Sequence, residues 1–174
     1  MKVLDLGCGP NKISGATGVD LRPGPGVDVV HDLNVYPWPF ANDEFDLVNA
    51  SHVLEHLEDV IRAVEEIHRV TKPGGLVRVL VPHFSSADFF TDPTHRHAFG
   101  VRSFDYFVEG TELCHFGYSK VRFKKRKVEL GFRSTNPVKE FIRRLINRYP
   151  HSYEKHLAFL LPIGSVSFEL EVLK

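Results

Sequence analysis

Three groups of residues in this chain have types and spacings that could do chemistry. The first is the loop Gly7-Cys8-Gly9-Pro10-Asn11, directly after the apolar run Val3-Leu4-Asp5-Leu6. Glycine at the carboxyl end of a parallel strand lets the backbone turn sharply and lets a ligand approach the main chain. The second is Asp20, within Gly18-Val19-Asp20-Leu21. A carboxylate at a strand end can accept two hydrogen bonds from the vicinal hydroxyls of a ribose. The third is a set of imidazoles and carboxylates, His83, Asp88, Asp92, His95 and His97, which follow an apolar run ending at Val81. Such groups move protons. The first two groups together read as a nucleoside site, and the third as a neighbouring reaction site.

Spacing narrows the nucleoside. Dinucleotide loops follow G-x-G-x-x-G with an acid about 20 residues on, and seat a pyrophosphate on a helix amino terminus. Here Lys12 holds the third glycine position, and only 13 residues separate Gly7 from Asp20. The crossover between the strands is therefore little more than one turn, with Pro10 acceptable at its start. A ligand with a ribose and no phosphate suits that loop, and S-adenosylmethionine is one.

The sequence resembles the class I, Rossmann-like S-adenosylmethionine-dependent methyltransferases. Val3–Asn11 looks like that family's first motif, Gly18-Val19-Asp20 its ribose-binding acid, and His31-Asp32-Leu33-Asn34 its adenine-binding turn. Phe45–Val48 resembles its fourth strand, and Val70–Gly75 the turn before its fifth. More narrowly, Ser51–His56 and Asp92–His97 look like a group of small predicted methyltransferases associated with surface-polysaccharide genes. The resemblance implies a methyl transfer, with S-adenosylmethionine as cofactor and backbone at Gly7, Cys8 and Gly9 lining its methionine side. Asp5 would compensate the ligand's ammonium, Asp20 and Leu21 would meet the ribose, and Asp32 and Leu33 the adenine. Asn49 and Ser51 would follow the fourth strand at the site. Competing structural roles are a loop-fixing carboxylate at Asp5, a helix cap at Asp20 and a turn-closing Asp32.

The elements needed to position these residues are legible as periodicities. Val27–His31 reads as a third strand, Asp46–Ala50 as a fourth and Leu76–Val81 as a fifth. Leu54, Leu57, Ile61, Val64, Ile67 and Val70 recur at three- and four-residue steps, so Leu54–Lys72 contains an amphipathic helix that Gly74-Gly75 ends. Tyr118–Leu130 and Ser165–Leu173 alternate as two last strands, with helices at Asn136–Tyr149 and Ser152–Leu161 between them. The expected fold class is α/β, a doubly wound, mostly parallel sheet of about seven strands with a shortened first helix. Residues 1–174 read as one domain, with 83–118 as an acceptor lid and 119–174 as hairpin strands and intervening helices.

Methyl transfer needs alignment and, for a hydroxyl acceptor, removal of a proton. His83 is expected at the mouth of the site as base or acceptor ligand, with His95 second. Arg96 could hold the loop by pairing with Asp88 or Asp92. No metal is expected: a set built from His83, His95 and His97 with a carboxylate lacks a diagnostic spacing, and His56, four residues after His52, reads as a packed or capping histidine. Phe89, Phe90, Phe99, Phe104, Tyr106, Phe107 and Phe116 crowd 84–118, and about half of the segment's aromatics are expected in the core.

Composition limits the partners. Net charge is zero, yet residues 1–100 carry 8 basic and 14 acidic side chains, and the remainder the reverse imbalance, 14 and 8. The run Lys120–Lys127 could contact phosphates, but its alternation with Val121 and Phe123 fits the solvated face of an edge strand. A small-molecule or glycan-linked acceptor is expected, nucleic acid is not, and oligomeric state is not legible. The two cysteines carry no metal or disulfide pattern, and no apolar run approaches a membrane span. With the first strand beginning at residue 3, a cytoplasmic protein is expected. The different class of answer is a non-catalytic domain that senses S-adenosylmethionine or is completed by a partner.

Overall fold

The computed structural model describes residues 1–174. Strands β1 (Val3–Leu6), β2 (Thr17–Asp20), β3 (Val29–Val30), β4 (Phe45–Ser51), β5 (Thr71–Pro82), β6 (Arg122–Leu130) and β7 (Ser165–Leu173) form one sheet in the order β3-β2-β1-β4-β5-β7-β6. Neighbours pair in parallel from β3 to β5, and β7 runs antiparallel to both β5 and β6. This is the seven-stranded Rossmann-like methyltransferase arrangement. The order reverses between β1 and β4, so their carboxyl ends flank the topological switch point where open α/β sheets take ligands.

The first crossover contains only a 3₁₀ turn, Gly9–Asn11, with Pro10 in its first positions. The next helix begins later than its apolar periodicity implies. Leu54–His56 is a separate 3₁₀ turn, closed by an extended Leu57. Helix α1 (Val60–Val70) then starts where Asp59 accepts from the amide of Arg62 at 3.0 Å. It ends at Val70, before Gly74-Gly75. Pro73 disfavours helix at Lys72, and Thr71 instead donates its hydroxyl to the Ile67 carbonyl and opens β5. Helices α2 (Ala87–Thr91), α3 (Pro137–Arg148) and α4 (Pro150–His156) complete the order. None is long and apolar enough to cross a membrane.

The two faces of the sheet differ. On one, the rows Leu4, Val48, Val77, Leu170 and Leu6, Ala50, Val79, Phe168 face each other across the central strands. These residues join one core with Ala63, Val64, Ile67 and Val70 of α1, Ile146 of α3 and Tyr153 of α4. On the other face the matching rows are Val3, Leu47, Leu76, Glu171 and Asp5, Asn49, Arg78, Glu169. Only Val3, Leu47 and Ala16 are buried there as an apolar cluster. Arg78 and Glu169 pair across strands at 3.1 Å, and Arg126 bonds Glu171. The basic run thus becomes β6, an edge strand whose charges are largely matched: Lys125 meets Asp105 and Lys127 meets Glu129.

Among the aromatics of the segment after β5, Phe99, Phe104 and Phe107 are buried in the core, while Phe90 and Phe116 are exposed.

Candidate active site at the switch point

Gly7 and Gly9 both adopt positive φ, 59° and 49°, which only glycine takes without strain. At Gly7 a Cβ would also lie 2.8 Å from a methyl of Val53, so the loop after β1 packs directly on the segment after β4. The Gly9 amide donates to Asp20 Oδ2 at 2.9 Å, tying the loop to the end of β2. The other oxygen of Asp20 accepts from the Arg22 amide at 3.3 Å. Asp5 is buried; one oxygen accepts from the Ile13 amide at 2.9 Å and the other from the Asn49 side chain at 2.7 Å. Two carboxylates therefore fix both sides of the loop, and Asn49 is drawn in from β4.

Cys8 is buried, its amide bonded to the Val19 carbonyl at 3.2 Å. Burial, with the charges of Asp20 and Asp5, raises its thiol pKa above the ordinary range, so no reactive thiolate stands here. Leu21 is exposed beside Asp20. Asp32 accepts from both the backbone and the side-chain amide of Asn34, at 2.9 and 3.1 Å, the geometry of a turn-closing aspartate. Leu33 was expected to lie against an adenine ring. Its side chain is instead buried in the core, and its carbonyl accepts from the Trp38 indole at 3.1 Å. Ser51 ends β4, and His52 follows with φ 53°, a left-handed conformation rare outside glycine.

The histidines after β5 separate. His83 does not stand at the mouth of the site. It is fully buried, with Nδ1 2.8 Å from the Ser85 hydroxyl and Nε2 3.1 Å from Glu154 Oε1. Glu154 also accepts from the Val101 amide at 2.6 Å. His83 thus pins the segment after β5 to α4, and both ring nitrogens are spent. His97 is likewise engaged, Nε2 to the Leu57 carbonyl at 2.9 Å, so His83, His95 and His97 share no common centre. Arg96 pairs with Glu58 at 3.5 Å rather than with Asp88 or Asp92, and its amide bonds the Glu55 carbonyl. His95 turns the other way, its ring centroid 4.7 Å from that of His56. Beside them lies Glu55, fully buried, with His52 Nδ1 3.2 Å from Oε1. That hydrogen bond, against the opposing effect of burial, raises the pKa of His52.

Glu55 and Glu154 are the residues that sequence reasoning missed. Glu55 sits at the third position after His52 in a segment that reads as a helix start, where an acid suggests capping. Glu154 is 71 residues from the imidazole it meets, and no local pattern announces it.

The parallel sheet with an antiparallel β7 between β5 and β6, and a glycine loop and strand-end acid at the switch point, is the fold of the class I methyltransferases. A family described as "Methyltransferase domain" matches residues 4–79, the stretch that builds β1 to β5. An uncharacterized methyltransferase of Schizosaccharomyces pombe is 31% identical over 105 residues, 44% of this chain and 38% of that protein. The demethylmenaquinone methyltransferase of Chlorobaculum parvum is 34% identical over 99 residues, 47% of this chain and 41% of that protein. The matched regions thus span well under half the length of these relatives. Among solved structures, a SAM-dependent methyltransferase from Archaeoglobus fulgidus shares the fold, with a TM-score of 0.61 over 98% of this chain and 85% of that one, at 22% identity. The matched segment holds the glycine loop and Asp20, so the chain is similar to the S-adenosylmethionine-dependent methyltransferases there and shares their fold along nearly its whole length.

Proposed function

We propose that this chain transfers the methyl group of S-adenosylmethionine to an oxygen or nitrogen of a small-molecule or glycan-linked acceptor. The observation that carries the reading is the hydrogen bond from the Gly9 amide to Asp20 at the switch point, 2.9 Å long. It holds the glycine loop and the strand-end carboxylate in one crevice, as a ribose-bearing donor requires. In this reading the backbone at Gly7 and Gly9 faces the methionine moiety and Asp20 takes the ribose hydroxyls. Asp32 and the Leu33 backbone border the adenine, and Asn49 and Asp5 shape the floor. A relative named as a demethylmenaquinone methyltransferase supports a small-molecule acceptor. The transfer is a displacement at the donor's methyl carbon: the acceptor lone pair forms the new bond while the carbon–sulfur bond breaks toward sulfur. A hydroxyl acceptor must also lose a proton. The histidine–carboxylate cluster around His95 is the candidate for that step, and His83 is assigned to positioning.

Titration with S-adenosylhomocysteine by calorimetry, with NAD as control ligand, tests the reading. Micromolar binding of the first alone is expected. Asp20→Ala should weaken it by about 1–3 kcal/mol, the cost of leaving a polar contact unmade. Unaltered affinity in that variant would remove Asp20 from the pocket.

A further inference from the structure

We propose that Glu55, His56 and His95 form a binding site for a divalent transition-metal ion of the zinc class. One donor atom from each of the three lies within 4.8 Å of the others. The two histidines come from segments nearly forty residues apart, the 3₁₀ turn after β4 and the loop after α2. The buried carboxylate at their centre is incomplete: Glu55 is 0% exposed, His52 meets Oε1, and Oε2 has no hydrogen-bond partner. A buried carboxylate oxygen left unpaired is costly, and such groups are normally paired or bound to metal.

The hydrogen bonds around the two rings settle their tautomers. His95 Nδ1 lies 3.0 Å from the Phe89 carbonyl, which can only accept, so Nδ1 carries the proton. His56 Nδ1 lies 2.8 Å from the Thr94 hydroxyl, whose own proton is given to Asp92 Oδ1 at 2.6 Å. That hydroxyl can therefore only accept, and His56 Nδ1 is protonated as well. Each ring is left with a bare lone pair on Nε2. Protonation at the outer nitrogen, held by a carbonyl or a carboxylate-backed hydroxyl, is the arrangement that orients histidine ligands in metal sites. Two imidazole nitrogens and one carboxylate oxygen make a donor set suited to zinc. Asp92 Oδ2, 4.0 Å from His95 Nε2, is near enough to serve as a fourth ligand. Tetrahedral donors about 2.0–2.1 Å from zinc stand roughly 3.4 Å apart, so side-chain rotation must draw the three inward.

Val53, which packs on Gly7, is two residues before Glu55. The ion would thus lie beside the donor crevice, where an open coordination position could take an acceptor oxygen and ease its deprotonation. That catalytic role rests on the methyl-transfer reading; the ion site itself does not.

The test uses the full chain, stripped with a chelator and titrated with Zn²⁺ alone by calorimetry, and with Co²⁺ by visible absorption. One ion per chain at micromolar or tighter affinity is expected, with the intense visible bands of low-coordinate cobalt. His56→Gln and His95→Gln should each weaken binding at least tenfold, whereas His97→Gln should leave it unchanged. Melting curves of the metal-free variants establish folding; a Zn²⁺-dependent rise in melting temperature should appear in the wild type and vanish in the two ligand variants. No uptake by the wild type, or equal uptake by the ligand variants, overturns the site. Because no methyl donor is present, this result is independent of S-adenosylhomocysteine binding.

Discussion

The two faces of the central sheet are built from the same strands by opposite means. Along β4, β5 and β7 successive residues alternate between an apolar layer, with Val48, Val77 and Leu170, and a polar layer, with Asn49, Arg78 and Glu169. The apolar layer gathers the helices and carries the fold. The polar layer is held by cross-strand pairs, and at β1 it ends in a buried carboxylate, Asp5, that shapes the glycine loop. Stability is therefore concentrated on one face, while the other spends polar groups on the site.

The largest effect should come from the apolar face. Phe168 is 3% exposed in β7 and meets the Phe104 ring at 4.7 Å. Phe168→Ala should cost about 3–5 kcal/mol, measured by urea unfolding, because neighbours relax only partly into the space. On the polar face, Asn49→Ala leaves Asp5 Oδ1 without its 2.7 Å partner and should cost about 1–3 kcal/mol while weakening S-adenosylhomocysteine binding. A loss of stability with binding untouched would separate the floor of the sheet from the pocket. Smaller still is Arg78→Ala. Its pair with Glu169 is solvent-exposed, and about 0–1 kcal/mol is expected. A cost rivalling that of Phe168→Ala would erase the distinction between the faces.

The smallest effect is a pH dependence. His68 reaches the Leu173 carbonyl at 2.8 Å and packs edge-on against Phe123. Burial lowers its pKa below that of the unfolded chain. The unfolded state then binds the proton more readily, so stability is full above about pH 6.5, the ordinary histidine value, and declines as pH falls through and below it. Melting temperatures taken between pH 7.5 and 5.5 should fall less steeply in His68→Gln; equal slopes would assign the decline elsewhere.

The architecture was legible because its signals are local. Val3–Leu6 and Ser165–Leu173 announce themselves by apolar runs and alternation, and both strands have those bounds in the structure. The glycine loop and Asp20 were legible for a similar reason, since a tight turn and a strand-end acid lie within one short segment. Boundaries set by a single hydrogen bond were not: the periodicity from Leu54 runs unbroken, yet the Asp59 cap delays α1 to Val60. His83 was misplaced for a different reason. Which way a ring turns depends on distant partners, Glu154 for His83 and Glu55 with His56 for His95, and residue spacing carries no record of those contacts.

The position of β7 between β5 and β6 has a consequence for timing. During synthesis β6 emerges before the strand that must lie between it and the rest of the sheet. A chain that has emerged only as far as α3 or α4 holds five strands that can pair, β3-β2-β1-β4-β5, with β5 as the growing edge, together with a detached β6. Strand edges left open in this way recruit other chains unless something repels them. The lysines and arginines of β6, three of which pair with acids in the finished sheet, are in that interval the charge that keeps a waiting strand apart from its neighbours.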